Sequence, residues 1–504
     1  MRALFCLMLI AGCAHPSTPP EPPPAPSPHK VAFLVHGYIS SADEFSELAG
    51  LLSHGGAHGE PLHVHRFDFG LFSRVGSDHN TGVETLGRTL GEAVETVQTE
   101  CPVCRSWADE PVDVTLIGRS LGGYVVREAL LQDVASQWGP WEVDRVITLA
   151  SPLYGSTLTR YSTGFLSVII NGGIRTALFG FIQPERGGAF GRVVDAQVRA
   201  MRLGSPYQLH AHDRMSRWVD TSGSPPWLIV PSLGTADPVH SGDGVVRWSA
   251  ANIAPVFPEI GAQTLPVVVK HGQIFAGEPA SKWTAELDRA VQAIRHFVDH
   301  GTIATLPGVA PYTWTDGALE RVSASRPPPS AVWLPTHPEA GRPIHRRYPE
   351  VAEADLSDVW IRVFAGPPGA EARPLTLRDG LSPLQASTEW SRQWFELSVA
   401  SPDETGSSVV AVQPVGSRHV FLPDVTPSGA WRIGLTLDRG APVSPDHIQT
   451  RVNGGAVHHG DMVEIASLQN NVVDVFVALD DPSAAKTVTH LSWHPPVEGE
   501  TGVE

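Results

Sequence analysis

Cysteine and positive charge are scarce in this sequence. Its 504 residues include four cysteines, and 36 lysines and arginines stand against 53 aspartates and glutamates, which gives a formal net charge of −17. A protein that binds nucleic acid neutralises phosphates with an excess of basic side chains. The charge therefore argues against nucleic acid as a partner.

The four cysteines are too few for a disulfide framework. Cys6 and Cys13 precede the folded part, which leaves Cys101 and Cys104. A C-x-x-C pair can be a redox motif or half a zinc site, but no second pair exists and no thioredoxin-like pattern surrounds it. We therefore expect no metal and no cofactor, and in an oxidising compartment we expect a Cys101–Cys104 disulfide.

The amino terminus is typical of an export signal. Residues 1–12 hold one positive charge and an apolar run too short to span a bilayer permanently. The run ends in Ile10-Ala-Gly-Cys13, which resembles the lipobox of bacterial lipoproteins; a plain secretory signal is the alternative. The resemblance implies cleavage before Cys13 and a lipid on that cysteine. Because Ala14 resembles the sorting pattern of outer-membrane lipoproteins, we expect a membrane-anchored protein of the bacterial cell envelope, most simply at the outer membrane.

Composition divides the rest of the chain. Residues 13–30 are rich in proline, which favours extended geometry and predicts a tether. Residues 31–301 alternate apolar runs with amphipathic helices, which predicts an α/β domain with a mostly parallel sheet. Residues 302–350 are rich in proline without periodicity and predict a linker. Residues 351–504 hold short alternating runs separated by turn residues, which predict a β-rich domain, most simply a β-sandwich.

One stretch of the first domain carries the strongest chemical signal. The apolar run Val112–Ile117 leads into the G-x-S-x-G pentapeptide Gly118–Gly122, and an apolar-periodic helix follows. This order of strand, tight turn and helix is the context of a nucleophile elbow, which exposes the hydroxyl of its serine. The pattern predicts Ser120 as a catalytic nucleophile.

Three further motifs stand in an order that matches a known superfamily. With the pentapeptide, they are Leu34-Val-His-Gly-Tyr38, Leu149-Ala-Ser-Pro-Leu-Tyr-Gly-Ser156 and Ser241-Gly-Asp-Gly-Val-Val246. Over about residues 30 to 300 the chain resembles the α/β-hydrolase superfamily, in the lipase branch that includes bacterial triacylglycerol lipases and GPI-inositol-deacylase-like lipases. Two departures leave the substrate open: Arg119 stands where these lipases usually have His, and Leu153-Tyr154 where they often have His-Arg.

A serine nucleophile needs a base, and the base needs an acid, in the chain order Ser, Asp or Glu, His. Two aspartates compete as the acid: Asp237 lies closer to the end of the strand Trp227–Leu233, and Asp243 lies in the segment that resembles the lipase motif. We favour Asp243. For the base we favour His271, which follows the apolar run Leu265–Val269.

The other histidines fit the base less well. His240 precedes the favoured acid, and His296 and His300 lie on an amphipathic helix. The resemblance implies an oxyanion hole formed by the backbone N–H groups of Leu121 and Tyr38. His36 is expected to orient that loop.

Two local patterns complete the first domain. Ser41-Ala-Asp-Glu44 resembles a capping box at the start of a helix. Residues 155–213 form an insertion with apolar stretches such as Phe165–Ile170, and this insertion is either a lid over an acyl pocket or a set of helices that cap the sheet.

The resemblance implies an enzyme, a carboxylic ester hydrolase acting on ester or lipid substrates. Three alternatives stay open. The same triad could transfer acyl groups among envelope lipids, the fold could serve a peptidase or amidase, or the chain could be a surface binding lipoprotein that uses the fold as a scaffold.

Overall fold

The structure is a computed structural model. With short gaps inside some ranges, it describes residues 29–54, 62–69, 82–155, 197–201, 206–233, 243–275, 284–336, 357–386, 395–399, 419–465, 470–479 and 487–494. The signal, the lipidation site at Cys13 and most of the proline-rich tether lie outside the described residues.

The first sheet contains nine strands among the described residues, in the order β2-β1-β3-β4-β5-β6-β9-β7-β8. Its first six strands pair in parallel. The strands are β1 His29–Val35, β2 His63–Phe67, β3 Val112–Arg119, β4 Trp141–Leu149, β5 Trp227–Val230, β6 Gln263–Thr264, β7 Val309–Thr315, β8 Ala318–Arg321 and β9 Val332–Pro335.

Helices cover both faces of this sheet. This agrees with the continuous apolar runs of its strands, which are typical of strands buried on both sides. The helices are α1 Ser46–Ser53, α2 Val83–Glu100, α3 Pro102–Arg105, α4 Leu121–Leu131, α5 Pro206–Ser222, α6 Trp248–Ala251 and α7 Ala285–His300. One core cluster joins the sheet to α2, α4 and α5, and the other joins it to α1 and α7. No helix in the described part of the chain is long and apolar enough to cross a membrane.

The predicted fold class is confirmed. The nucleophile strand β3 lies at the centre of a parallel sheet, between β1 and β4, and a helix follows it directly. This is the α/β-hydrolase arrangement, with the strand-turn-helix unit at the carboxyl edge of the sheet.

The prediction of a linker over residues 302–350 is wrong in part. The strands β7, β8 and β9 fall in this range and extend the first sheet, with Thr264 of β6 paired to Val332 of β9. Their short length and the prolines among them, such as Pro311, conceal the strand pattern in the sequence. The sheet therefore continues beyond residue 301.

The carboxyl-terminal region is β-rich, as predicted. The remaining strands are β10 Ser357–Ala365, β11 Arg373–Pro374, β12 Thr376–Leu377, β13 Leu381–Ala386, β14 Phe395–Val399, β15 His419–Thr426, β16 Gly429–Leu437, β17 Ile448–Val452, β18 Val457–His459, β19 Met462–Ile465, β20 Asn470–Val477 and β21 Thr487–His494. They form two sheets of six strands each among the described residues. Side chains from both sheets share one buried cluster, as in a sandwich.

One aromatic contact joins this region to the first sheet's helices. Trp360 of β10 is buried, and its ring lies 4.8 Å from the ring of His212 on α5 and 4.8 Å from that of Tyr154. Trp360 and Val472 belong to the same hydrophobic cluster as the core under α2 and α4. The two regions therefore share buried apolar surface.

Candidate active site

Ser120 occupies the sharp turn between β3 and α4. Its backbone has φ 50° and ψ −121°, a conformation that L-residues adopt rarely and at some cost in free energy. The turn is held by its N–H, which donates to the carbonyl of Leu149 at 2.9 Å. Close packing requires glycine on either side: a Cβ at Gly118 would lie 2.5 Å from the carbonyl oxygen of Gly122.

The three residues predicted as a triad meet in the structure. The Ser120 hydroxyl lies 3.0 Å from Nε2 of His271, and Nδ1 of His271 lies 2.7 Å from Oδ2 of Asp243. The Asp243 side chain is fully buried, and the His271 side chain is 13% exposed. With Nδ1 protonated and donating to Asp243, Nε2 can accept the serine proton.

Backbone pairing brings the acid and the base together. Sheet pairing continues past β6, since the N–H groups of Leu265 and Val267 donate to the carbonyls of Ile229 and Pro231 at 2.8 and 2.9 Å. The chain then reaches His271, whose N–H donates to the Asp243 carbonyl at 3.1 Å. The Asp243 carboxylate is fixed in turn, because its Oδ1 accepts the Val246 N–H at 2.7 Å.

The loop that carries the predicted oxyanion donor Tyr38 passes beside the nucleophile. A Cβ at Gly37 would lie 3.1 Å from the Ser120 Cβ, so the loop packs closely against the serine. The N–H of Gly37 donates to Oε1 of Glu44 at 3.0 Å. Leu121 begins α4 directly after the serine.

Glu44 was not recognised in the sequence as a site residue. The capping box expected at Ser41 does not form, since the Ser41 side chain makes no capping bond. Glu44 is instead buried, and it accepts hydrogen bonds from the Gly37 N–H and the Ser40 hydroxyl. An acidic residue seven positions after the motif's glycine was the available signal, and the S-x-x-E pattern obscured it.

Arg119 connects three segments of the site. Its guanidinium donates to Oε2 of Glu44 at 2.7 Å, to the carbonyl of His271 at 2.8 Å and to the carbonyl of Ile274 at 2.9 Å. Its side chain is 7% exposed. Arg119, where the resembling lipases usually have histidine, therefore supplies a buried guanidinium that joins the segment of His271 to Glu44, which binds the Gly37 N–H.

His36 orients the same loop, in line with the role expected for it. It is fully buried, its Nδ1 donates to the Gly37 carbonyl at 2.8 Å, and its Nε2 accepts the Phe69 N–H at 3.2 Å. Burial lowers its pKa below the ordinary value of 6.5, which keeps the ring neutral.

The described part of the insertion covers the elbow helix. Hydrogen bonds to the buried Glu128 join α5 to α4: the Tyr207 hydroxyl donates to Glu128 at 2.8 Å, and Arg214 donates to both Glu128 oxygens at 2.7 and 2.8 Å. Arg127, also buried, donates to the Leu153 carbonyl at 2.8 Å. This portion packs on the helix α4, and most of the insertion, including Phe165–Ile170, lies outside the described residues.

The Cys101–Cys104 disulfide is not formed in the structure. Both cysteines are free thiols. Cys101 caps the amino end of α3, and its Sγ accepts the N–H of Cys104 at 3.3 Å, while the Cys104 sulfur lies 3.6 Å from Nε2 of His65. Burial raises the pKa of Cys104 to about 12, so the thiol stays protonated at neutral pH.

Two of the residues considered as alternative acid or base are not described by the structure. Asp237 and His240 lie outside the described residues. His296 and His300 lie on α7, as expected, with their rings 4.4 Å apart. His271, the histidine that the sequence favours as the base, lies beside the Ser120 hydroxyl.

The chain matches no protein-family model and no curated protein sequence. Similar solved structures include the mature form of the lipase BlEst2 from Bacillus licheniformis, at 17% identity and a TM-score of 0.32 over 51% of this chain and 91% of that one. Phospholipase PlaB from Legionella pneumophila is 12% identical, with a TM-score of 0.36 over 89% of this chain and 94% of that one. A monoacylglycerol lipase from Paleococcus ferrophilus is 17% identical, with a TM-score of 0.32 over 55% and 97%.

Proposed function

We propose that this protein is a serine hydrolase that cleaves carboxylic esters through an acyl-enzyme. One observation carries the proposal: a continuous hydrogen-bonded line runs from the buried Asp243 through His271 to the Ser120 hydroxyl, at 2.7 and 3.0 Å. Nucleophile, acid and base occur in that order along the chain, as this fold requires. Each lies within the reach that proton transfer requires.

In the first half of the reaction, Ser120 attacks the ester carbonyl carbon. His271 Nε2 takes the hydroxyl proton as the Oγ–carbon bond forms, and the Asp243 carboxylate stabilises the imidazolium through Nδ1. His271 then gives the proton to the leaving alcohol oxygen as the carbon–oxygen bond breaks. The acyl group is left on Ser120.

Two backbone N–H groups are proposed to stabilise the tetrahedral oxyanion. One belongs to Leu121, at the amino end of the eleven-residue helix α4, where the helix dipole favours negative charge. The other belongs to Tyr38, on the loop that the Gly37 contact places beside Ser120. Loss of one such donor in a serine hydrolase costs about 10²–10³-fold in kcat.

In the second half, water replaces the alcohol. His271 removes a proton from the water, the hydroxide oxygen attacks the acyl carbon, and the proton returns to Ser120 Oγ as the carboxylic acid leaves. Every proton that the serine loses is restored, so the cycle ends with the enzyme in its starting protonation state.

Lipid-like esters are the proposed substrate class. The motifs of the lipase branch and the apolar stretches Phe165–Ile170 and Ala177–Ile182 of the insertion support it, since an acyl chain needs apolar cover. We also propose that Cys13 carries lipid and anchors the chain to the bacterial cell envelope, most simply at the outer membrane, where such esters are abundant.

A fluorophosphonate probe tests the enzyme class directly. Wild-type protein should be labelled on Ser120, and Ser120→Ala should not be labelled. Equal labelling of both proteins would contradict the proposal, and no labelling of the wild type would favour the scaffold alternative.

A series of p-nitrophenyl esters tests the substrate class. We expect kcat/KM to rise from acetate towards medium or long acyl chains. A maximum at acetate would contradict lipid-like substrates while leaving the ester hydrolase intact. Adding a primary alcohol separates hydrolysis from acyl transfer, because a transacylase would form the new ester in preference to the free acid.

A further inference from the structure

A cluster of soft ligands lies at the edge of the first sheet, apart from the triad. His65 is on the edge strand β2. Cys101 is the N-cap of the short helix α3, and Cys104 lies within that helix. One ligand atom from each, the His65 Nε2 and the two sulfurs, lies within 4.8 Å of the others. The esterase mechanism uses none of them.

The distances suit a tetrahedral metal ion. Zinc binds thiolate sulfur at about 2.3 Å and imidazole nitrogen at about 2.0–2.1 Å, so a sulfur and a nitrogen on one tetrahedral ion are roughly 3.5 Å apart. Cys104 Sγ and His65 Nε2 are 3.6 Å apart. These two atoms need almost no movement to share an ion.

The local backbone also suits two sulfur ligands. The C-x₂-C spacing of Cys101 and Cys104 is typical of the paired cysteines in structural zinc sites. The Cys104 N–H points at Cys101 Sγ, at 3.3 Å, and such a bond stabilises a thiolate. The His65 ring is stacked on Phe33 with centroids 5.5 Å apart, which fixes the direction of Nε2.

The site is reachable from solvent without being fully exposed. Cys104 is buried, while Cys101 and His65 are half-buried. An ion held by these three residues would keep one position for water, since zinc takes four ligands.

We propose that Cys101, Cys104 and His65 form a Zn²⁺ site with water as the fourth ligand. Binding breaks the two S–H bonds and forms two Zn–S bonds and one Zn–N bond, and the two thiol protons go to solvent. The ion links the edge strand β2 to the short helix α3 and its N-cap Cys101, which the sequence joins to β2 only through a long intervening segment. Its role is to fasten the edge of the sheet.

Cobalt substitution and zinc titration of the full chain test this site. The protein is reduced, freed of metal with a chelator and titrated with Co²⁺; we expect a thiolate-to-cobalt charge-transfer band at one equivalent, removed by Zn²⁺. Cys104→Ser and His65→Gln should each weaken Zn²⁺ binding by roughly 100-fold or more, beyond the cost of losing an outer-shell partner. A thermal shift on adding Zn²⁺ should accompany binding in the wild type.

His63→Gln is the matched control. His63 lies two residues earlier on the same strand and packs its ring against Trp107 at 4.7 Å, outside the cluster. Zinc affinity of this variant should stay within about twofold of the wild type. Esterase activity of the wild type should be the same with and without zinc, which separates this site from the triad.

Three results would overturn the proposal. The first is the absence of a charge-transfer band at one equivalent of Co²⁺. The second is an equal loss of affinity in His63→Gln and His65→Gln. The third is a Cys101–Cys104 disulfide in the protein purified from its own compartment, seen as a mass two hydrogens lower that reduction restores.

Discussion

Arg119 and Glu44 form a buried ion pair, with 2.7 Å between a guanidinium nitrogen and Oε2, and both side chains are 7% exposed. Each residue also holds a different part of the site. Glu44 binds the Gly37 N–H on the loop before α1, and Arg119 binds the carbonyl of His271. The pair therefore joins the Gly37 loop to the segment that brings His271 beside Ser120.

Removing one charge of this pair should destabilise the protein more than removing both charges. Arg119→Met leaves the Glu44 charge buried, and a broken buried pair costs about 3–5 kcal/mol of unfolding free energy. The double variant Arg119→Met, Glu44→Gln removes both charges and should be the more stable of the two. Urea unfolding followed by fluorescence measures the difference in stability. Steady-state kinetics measure kcat and KM of each variant, and the loss of activity should be mainly a loss of kcat, because His271 loses the hydrogen bond to its carbonyl.

Arg66→Met is the matched control for that experiment. Arg66 pairs with Asp43 at 3.3 Å on the surface, where the partner side chains are 38% and 88% exposed. Such a pair contributes about 0–1 kcal/mol. Equal effects of Arg119→Met and Arg66→Met on stability and kcat would contradict the positioning role.

Asp243→Asn should abolish most of the activity while Asp237→Asn should not. Asparagine keeps the shape of the buried side chain but cannot stabilise the imidazolium, and the corresponding change in a serine protease lowers kcat by about 10⁴-fold. Initial rates with a p-nitrophenyl ester decide between the two aspartates. A large loss confined to Asp237→Asn would make Asp237 the acid.

Gly122→Ala should destabilise the protein strongly. A Cβ there would overlap the carbonyl oxygen of Val35 and lie 2.7 Å from that of His36. Overpacking against backbone costs about 1–3 kcal/mol or more. Gly50→Ala is the control: nothing lies within 4 Å of its Cβ, and alanine in the helix α1 should stabilise by about 0.5–1 kcal/mol. Soluble yield and thermal unfolding compare them.

Acidification should destabilise the protein partly through His36. Burial lowers its folded pKa below the 6.5 of the unfolded chain, so the unfolded state binds the proton first. The stabilising effect is complete above pH 6.5 and is lost as the pH falls through the folded pKa. His36→Gln keeps an acceptor for the Phe69 N–H and should reduce the slope of unfolding free energy by up to about 1.4 kcal/mol per pH unit.

The free energy of unfolding of His36→Gln should still depend on pH through other histidines. His63, His65 and His296 also have pKa values lowered by burial. Urea unfolding at a series of pH values therefore compares slopes and not midpoints alone. An unchanged slope in the variant would show that His36 does not titrate on unfolding.

Local sequence patterns predict part of the site, but contacts between segments that are distant in the chain cannot be predicted from it. Ser120 and Asp243 were predicted from short motifs and His271 from its place after an apolar run, and the structure brings these three side chains together. The role of Arg119 was not, because its partners Glu44 and His271 are 75 and 152 positions away. The same holds for His65, whose nearness to Cys104 depends on the packing of β2 against the turn after α2.

Strands β7 to β9 were not predictable from their own sequence. Their composition predicts irregular chain, and only pairing to β6 and to one another makes them strands. Tertiary context decides such segments, since strand propensity is weak and proline masks it.

The buried Trp360 ring means that the carboxyl-terminal sandwich is not a removable attachment. Deleting it would leave the rings of Tyr154 and His212, now packed under Trp360, facing water beside the elbow helix. A chain cut before β10 should be prone to self-association, and the intact chain should unfold in a single transition. The sandwich therefore contributes side chains to the interior of the first region, whatever else its outer faces do.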